Sequence, residues 1–219
     1  MTLQSSFTDT LFSEVPAIWH KSNWSNGGYF VNTWGELNVS FPGGEMVLTL
    51  EPESSGTTPE LAISGEYSTN LKCSYGFYRA RLKASSVPGT ITGFFTYTGG
   101  DTNHDEIDIE IKGDTPNKLQ LNYWTNGVEH PLVFDLPFDA SLEFHDYGFN
   151  WTPSGIDWFV DNRLIHSENG TNGPLPNTPG QLFFNYWGVQ NSSGWSSDYD
   201  PLTPASSVSV KNVSFLEYN

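Results

Sequence analysis

The segment His104-Asp105-Glu106-Ile107-Asp108-Ile109-Glu110-Ile111 alternates acidic with branched apolar residues. Successive side chains on a β-strand point to opposite faces, so Glu106, Asp108 and Glu110 share one face and Ile107, Ile109 and Ile111 the other. Three carboxylates in a row repel one another when ionised. Each raises its neighbours' affinity for a proton, so at least one proton is held within the trio. One ionised carboxylate beside one protonated carboxyl is what retaining hydrolysis of a glycosidic bond requires, as nucleophile and general acid. On a strand Glu106 and Glu110 stand about 13 Å apart at Cα. Side chains that lean together shorten this toward the ~5–5.5 Å of a retaining pair. The central Asp108 can hydrogen-bond a neighbour and tune its charge. The plainer explanation is an edge strand kept charged against aggregation, but the clean Ile face opposite fits a central strand backed by a core.

Three other segments share this parity rule. Phe95 and Tyr97, Asn122 and Trp124, and Asn185 and Trp187 each fall two residues apart, so each pair faces one side of its own strand. Rings alone would fit a core equally well. Asn122 and Asn185 would there need polar partners, which makes the amide–ring pairs better suited to a ligand-facing wall. The five histidines (His20, His104, His130, His145 and His166) show no metal-ligand spacing. Nothing in the sequence brings a Ser-His-Asp set together for acyl transfer. Cys73 is the single cysteine, so no internal disulfide can form.

The elements that must position these residues read as short strands between turns. Alternating apolar segments recur at 46–50, 77–83, 91–97, 106–111, 119–124, 156–160, 182–187 and 208–218. Turn signals separate them, among them Asn26-Gly27-Gly28, Pro42-Gly43-Gly44, Gly99-Gly100, Asn126-Gly127, Pro153-Ser154-Gly155, Asp161-Asn162 and Pro179-Gly180. No helical periodicity, repeat or linker interrupts the pattern, so one all-β sandwich over residues 1–219 is expected. Asn169–Pro179 reads as a loop, as does Gly188–Pro204, which carries Trp195. The 219 residues suffice for a sizeable core. With 9 Lys+Arg against 25 Asp+Glu the net charge is −16, which disfavours nucleic acid and anionic membrane surfaces as partners. No apolar run approaches the ~20 residues of a membrane span. The first residues show no basic segment leading into an apolar run.

The segment Glu106-Ile-Asp-Ile-Glu110 resembles the active-site motif of glycoside hydrolase family 16, and its flanks resemble the bacterial licheninase (β-1,3-1,4-glucanase) branch. Supporting segments run along nearly the whole chain, including Ser25-Asn-Gly-Gly-Tyr-Phe30, Glu66-Tyr67, Tyr75-Gly-Phe-Tyr78, Gly93-Phe-Phe-Thr-Tyr-Thr-Gly99, Gln120-Leu-Asn-Tyr-Trp-Thr-Asn-Gly127, Phe144-His145, Trp158-Phe-Val-Asp161 and Asn185-Tyr-Trp187. The resemblance implies a concanavalin-like β-jelly roll of two curved antiparallel sheets with a glucan cleft on the concave face. It implies endo-acting, retaining hydrolysis of mixed-linkage β-glucan such as lichenan or barley β-glucan. Glu106 matches the nucleophile, Asp108 the assisting carboxylate and Glu110 the general acid/base. Substrate contacts match Trp24, Asn26, Phe30, Glu66, Phe95, Tyr97, His104, Gln120, Asn122, Trp124, Asn185, Trp187 and Trp195. The resemblance also implies a secreted monomer, its leader absent from this sequence, with no cofactor for the chemistry.

The absence of an inserted residue before Glu110 predicts a regular strand, as in licheninases and in plant xyloglucan transglycosylase/hydrolases, rather than the bulge of laminarinase-like members. Several departures keep alternatives open. His104 replaces a Trp usual in licheninases, and xyloglucan transglycosylase/hydrolases carry His there. The loop from Tyr97 to Glu106 is about two residues shorter than usual, counted from the resemblance. Ser68 follows Glu66-Tyr67 where an Arg is common. These departures admit hydrolysis or transglycosylation of xyloglucan or another β-glucan, and the fold alone also admits a non-catalytic glycan-binding module. Asn32 and Ser64 stand where licheninases carry a disulfide. Ser214 stands near a calcium-binding Asp of the family, which leaves a structural calcium open.

Overall fold

A computed structural model describes residues 5–10, 13–54, 56, 60–99 and 103–218. The strands in chain order are β1 (Phe7–Asp9), β2 (Trp19–Lys21), β3 (Asn32–Trp34), β4 (Val39–Ser40), β5 (Met46–Pro52), β6 (Ala62–Ser64), β7 (Glu66–Thr69), β8 (Gly76–Lys83) and β9 (Thr90–Tyr97). They continue with β10 (Glu106–Lys112), β11 (Lys118–Thr125), β12 (Val128–Glu129), β13 (Leu132–Asp135), β14 (His145–Thr152), β15 (Gly155–Val160), β16 (Arg163–Glu168), β17 (Gln181–Gly188) and β18 (Ser206–Glu217). No described helix is long and apolar enough to cross a membrane.

The strands form two sheets. One runs β12-β11-β10-β9-β17-β7-β2, with β13 beside β11. The other runs β16-β15-β14-β8-β18-β5-β6-β3, with β1 on β18 and β4 on β5. Among these pairs β3 and β6 are parallel and the rest antiparallel. The carboxylate strand β10 is therefore central, laddered to β9 on one side and β11 on the other with no register shift. The regular strand expected from the missing insertion is present.

Alternation puts half of each strand of the first sheet into the core. Ile107, Ile109 and Ile111 are buried, as are Phe94 on β9, Leu119, Leu121 and Tyr123 on β11, and Leu182, Phe184 and Tyr186 on β17. Rings of the second sheet meet them: Phe94 lies 5.8 Å from Phe149 and 5.0 Å from its neighbour Phe184. Behind the acids, the Trp158 indole N–H donates to the Asp108 carbonyl at 3.2 Å, so an outer-sheet side chain ties down the backbone of the central strand. Cys73 is buried, and burial pushes its thiol up to about 12, so it is an inert core residue.

Each strand expected from alternation forms, within a residue or two of its expected ends. The strand β14 was not expected as an element, although Tyr147, Phe149 and Trp151 alternate along it and are all buried. A side chain at Gly148 would press within 2.5 Å of the Tyr78 carbonyl on β8, so close strand approach demands glycine. Both predicted loops are loops, except that Gly188 ends β17 and Val189 bridges to Phe30. Gly100 of the predicted Gly99-Gly100 turn, and part of the short connection from Tyr97 to Glu106, lie outside the described residues.

Candidate active site

The face of the first sheet turned away from the core carries every second residue of β10 and its neighbours. Register converts this into rows across the sheet. One row reads Trp124–Glu106–Tyr97, from β11 through β10 to β9. The next reads Asn122–Asp108–Phe95–Phe183, reaching β17. The third reads Gln120–Glu110–Gly93–Asn185–Glu66, reaching β7. The acids thus lie on the floor of a trough, with rings toward the Glu106 end and amides toward the Glu110 end.

Two adjoining cavities of about 300 and 490 Å³ make up the trough, and Glu106, Asp108, Glu110 and Trp187 border both. The first adds Trp24, Asn26, Phe30, Glu66, Phe95, Tyr97, His104 and Asn185. The second adds Gln120, Asn122, Trp124 and Trp195. Every residue that the sequence suggested for catalysis or substrate contact therefore lines this one trough. Phe183, Tyr29, Glu129 and Ser192 also line it and were not anticipated. Phe183 was within reach, since it shares parity with Asn185 and Trp187, and its ring stacks on Phe95 at 5.2 Å. Tyr29 and Ser192 come from a turn and a loop, where period-2 logic is silent, and Glu129 from the two-residue strand β12, too short to show alternation.

The rings are held rather than loose. Phe30 stacks on Trp187 at 4.1 Å, and Trp187 on Trp195 at 6.1 Å with 17° between planes. This makes a layered aromatic wall that suits the flat apolar face of a pyranose ring. Asn26 accepts the indole N–H of the buried Trp34 at 2.7 Å, which leaves its NH2 for a ligand. Asn122 accepts the His130 backbone N–H at 3.0 Å. His104 stacks on Trp124 at 4.7 Å and meets Tyr97 edge-on at 5.2 Å. Its Nε2 hydrogen-bonds the Glu106 carboxylate. His104 therefore does more than border the trough: it aims Glu106.

The electrostatics divide the acids. Burial, then the charges of Glu106 and Glu110, hold the Asp108 carboxyl well above its ordinary range. Asp108 also hydrogen-bonds Glu106, and the Trp124 side chain hydrogen-bonds Asp108. Burial, then the Glu106 charge, pushes Glu110 up to about 8, with Lys112 pulling it down and Glu129 adding to the rise. Glu110 is thus a protonated acid at neutral pH, poised to lose its proton just above it. Glu66, pushed up to about 7 by burial, accepts from Ser22 Oγ at 2.7 Å and from the Asn185 amide at 3.4 Å. The proton expected among crowded carboxylates is accounted for on Asp108 and Glu110.

Asp105, the acid just before the trio, works differently. It is buried, and its oxygens accept backbone N–H groups of Asn126 (3.1 Å), Asn177 (2.8 Å) and Thr178 (3.0 Å). It ties two loops to the start of β10 and faces away from the trough.

Among the described residues no group of three His, Cys, Asp or Glu side chains gathers as a metal site. Where calcium was left open, Ser214 pairs with Thr8 and Arg79. In the adjacent cavity the Glu45 carboxylate already has the Lys211 ammonium at 3.6 Å. Asn32 and Ser64, at the expected disulfide positions, are instead hydrogen-bonded in the interior: Asn32 Oδ1 accepts the Gly188 N–H at 3.1 Å, and Ser64 Oγ donates to the Tyr186 carbonyl.

Comparison with known proteins agrees with this geometry. The profile of Glycosyl hydrolases family 16 matches residues 26–202. A beta-glucanase of Acetivibrio thermocellus is 41% identical over 189 residues, covering 85% of this chain and 55% of that protein. The chain thus spans about half the length of that relative. The solved Bacillus licheniformis beta-glucanase superposes with a TM-score of 0.90 at 34% identity, covering 99% of this chain and 100% of that one. A prokaryotic beta-1,3-1,4-glucanase (lichenase) derived from a mouse hindgut metagenome superposes with a TM-score of 0.91 at 33% identity, covering 98% and 100%.

Proposed function

This chain belongs to glycosyl hydrolases family 16, and from that premise we propose that it is an endo-acting, retaining β-glucanase whose substrate is mixed-linkage β-1,3-1,4-glucan. The observation that carries the reading is the division of charge along one unbulged strand, with Glu110 protonated to about pH 8 two positions from Asp108 and four from Glu106.

A glucan chain lies in the trough with sugar faces on Phe30, Trp187 and the Phe95/Phe183 pair, and its hydroxyls on Asn26, Asn185 and Glu66. Glu110 gives its proton to the oxygen of the bond that breaks. Glu106, aimed by His104 and Asp108, attacks the anomeric carbon and forms a glycosyl ester, releasing the first half of the chain. Asp108 keeps a proton that it donates to Glu106 and so holds that carboxylate in line without adding a third negative charge. Glu110, now ionised, takes a proton from water as the water attacks the same carbon. The ester breaks, Glu106 leaves as carboxylate, and the configuration is retained after two inversions. The open trough suits attack in mid-chain. A polymer too large to cross a membrane supports secretion, which activity in medium compared with cell lysate would test.

The test is product analysis on barley β-glucan, laminarin, xyloglucan, carboxymethylcellulose and mixed-linkage oligosaccharides of defined structure. The expected result is cleavage of barley β-glucan with the β-anomer formed first. Release from xyloglucan or laminarin alone would overturn the substrate, and glucan binding without cleavage would overturn the chemistry.

A further inference from the structure

Glu110 has to change charge twice in each cycle, and two neutral or positive groups set how readily it does so. Gln120 Nε2 donates to Glu110 Oε2 at 3.3 Å, and the Lys112 charge lowers the Glu110 proton affinity. An amide can present either end, its NH2 as donor or its oxygen as acceptor. Here the choice is made from the other side: the Trp195 indole N–H donates to Gln120 Oε1 at 2.7 Å. With a donor on its oxygen, Gln120 must turn its NH2 to Glu110, which favours the carboxylate.

Lys112 depends on the same residue. Its Nζ donates to the Trp195 carbonyl at 2.7 Å and lies 5.1 Å from the centre of the Trp195 ring. Trp195 sits in the segment that follows β17, outside any strand, so something else must hold it. The holder is Asp114, in the turn after β10. Its carboxylate accepts from the hydroxyls of Ser196 and Ser197, from the Ser197 N–H at 3.1 Å and from the Gly89 N–H at 3.3 Å. Though partial burial opposes it, these hydrogen bonds keep the Asp114 carboxyl below its ordinary value, so it stays ionised as an acceptor.

We propose that Asp114 is a positioning residue for the general acid: by clamping Ser196 and Ser197 it holds Trp195 against Gln120 and so fixes which end of the Gln120 amide faces Glu110. The clamp acts on the proton, not on the sugar. It rests on the reading of Glu110 as acid/base. Without it Gln120 is free to turn and Lys112 loses its anchor. Both changes raise the Glu110 proton affinity, which extends the acid form upward in pH and lowers the fraction of Glu110 that is ionised and ready to act as base in the second step.

The experiment follows the Glu110 titration in the whole protein by carboxyl carbon-13 NMR and, separately, by the basic limb of kcat/KM on barley β-glucan. The charged groups facing Glu110 are Glu106, Asp108 and Lys112 on its own strand, Glu129 beside β11, and Glu66 beyond Asn185; Asp114→Ala replaces none of them. In Asp114→Ala both readouts are expected to rise by about one pH unit, the size that loss of a charge-assisted hydrogen bond supplies. Ser197→Ala gives a smaller rise of the same sign and decides the matter alone if Asp114→Ala does not fold. In a Gln120→Ala background the added Asp114→Ala change gives at most the small residue due to Lys112. An unmoved titration in both single variants, or a full extra shift in the Gln120→Ala background, overturns the clamp. The acid/base assignment fails separately: Glu110→Gln would then keep its turnover, whatever the NMR titration of the Asp114 variants shows.

Discussion

The two ends of the acid row are built differently. Around Glu106 the neighbours are rings: Trp124 and Tyr97 flank it in register, and His104 packs between them and hydrogen-bonds its carboxylate. Around Glu110 the neighbours are Gly93 on one side and the Gln120 amide on the other, with the Lys112 ammonium nearby. A nucleophile has to be aimed, and stacked rings that cannot rotate do that. A group that must give up its proton needs partners that steady its ionised form, and the NH2 end of an amide and an ammonium do that. One strand thus supports two roles because its cross-strand partners differ, while the acids themselves are spaced alike.

That contrast can be broken at several depths. The largest effect is expected from the acids: Glu106→Gln and Glu110→Gln should each lower kcat on barley β-glucan by at least about a thousandfold. An aryl glucoside whose leaving group needs no proton separates the ends, because Glu110→Gln should recover its first step on it while Glu106→Gln should not. Equal recovery would erase the distinction between them. Asp108→Asn keeps the shape but loses the shared proton's freedom, and a drop of about a hundredfold in kcat is expected. Gly93→Ala places a Cβ 2.3 Å from Asn185 Oδ1, in the open side of Glu110. Displaced Asn185 should raise KM about tenfold with a smaller change in kcat, measured by steady-state kinetics. His104→Phe retains the stack but not the hydrogen bond to Glu106, and kcat should fall roughly threefold to tenfold; an unchanged kcat would leave His104 as wall alone.

The smallest effect is on stability. Glu110 and Glu66 are raised from 4.5 to about 8 and about 7, so the folded state binds more protons than the unfolded chain between those values. Their contribution is complete below pH 4.5 and is lost as pH rises through 7 and 8. Thermal midpoints should therefore fall across this window, and Glu66→Gln should flatten the fall. A midpoint that rises from pH 5 to pH 8, with Glu66→Gln behaving as the parent does, would contradict the burial of these carboxyls.

Most of the trough was legible because it obeys a local rule. Parity along β9, β10, β11 and β17 tells which side chains share a face, and the paired sheet needs only to align the strands. The acids, the amide–ring pairs and the Ile backing are all of this kind. What escaped is what depends on distant partners. Asp105 caps loops more than seventy residues away, and Asp114 reaches Ser196 and Ser197 across a similar span. An isolated Asp in a turn looks alike whether it faces water or holds a loop. Strand β14 and Phe183 are a different case, since parity alone places Tyr147, Phe149 and Trp151 on one buried face and Phe183 beside Asn185.

The unbulged ladder on both sides of β10 makes that strand a ruler. The spacing of the bond-breaking atoms is graduated by the pleat itself, which no loop can stretch. Changes to the walls, as at His104 and the Trp195 segment, leave the gauge between attack and protonation untouched so long as no residue is inserted before Glu110.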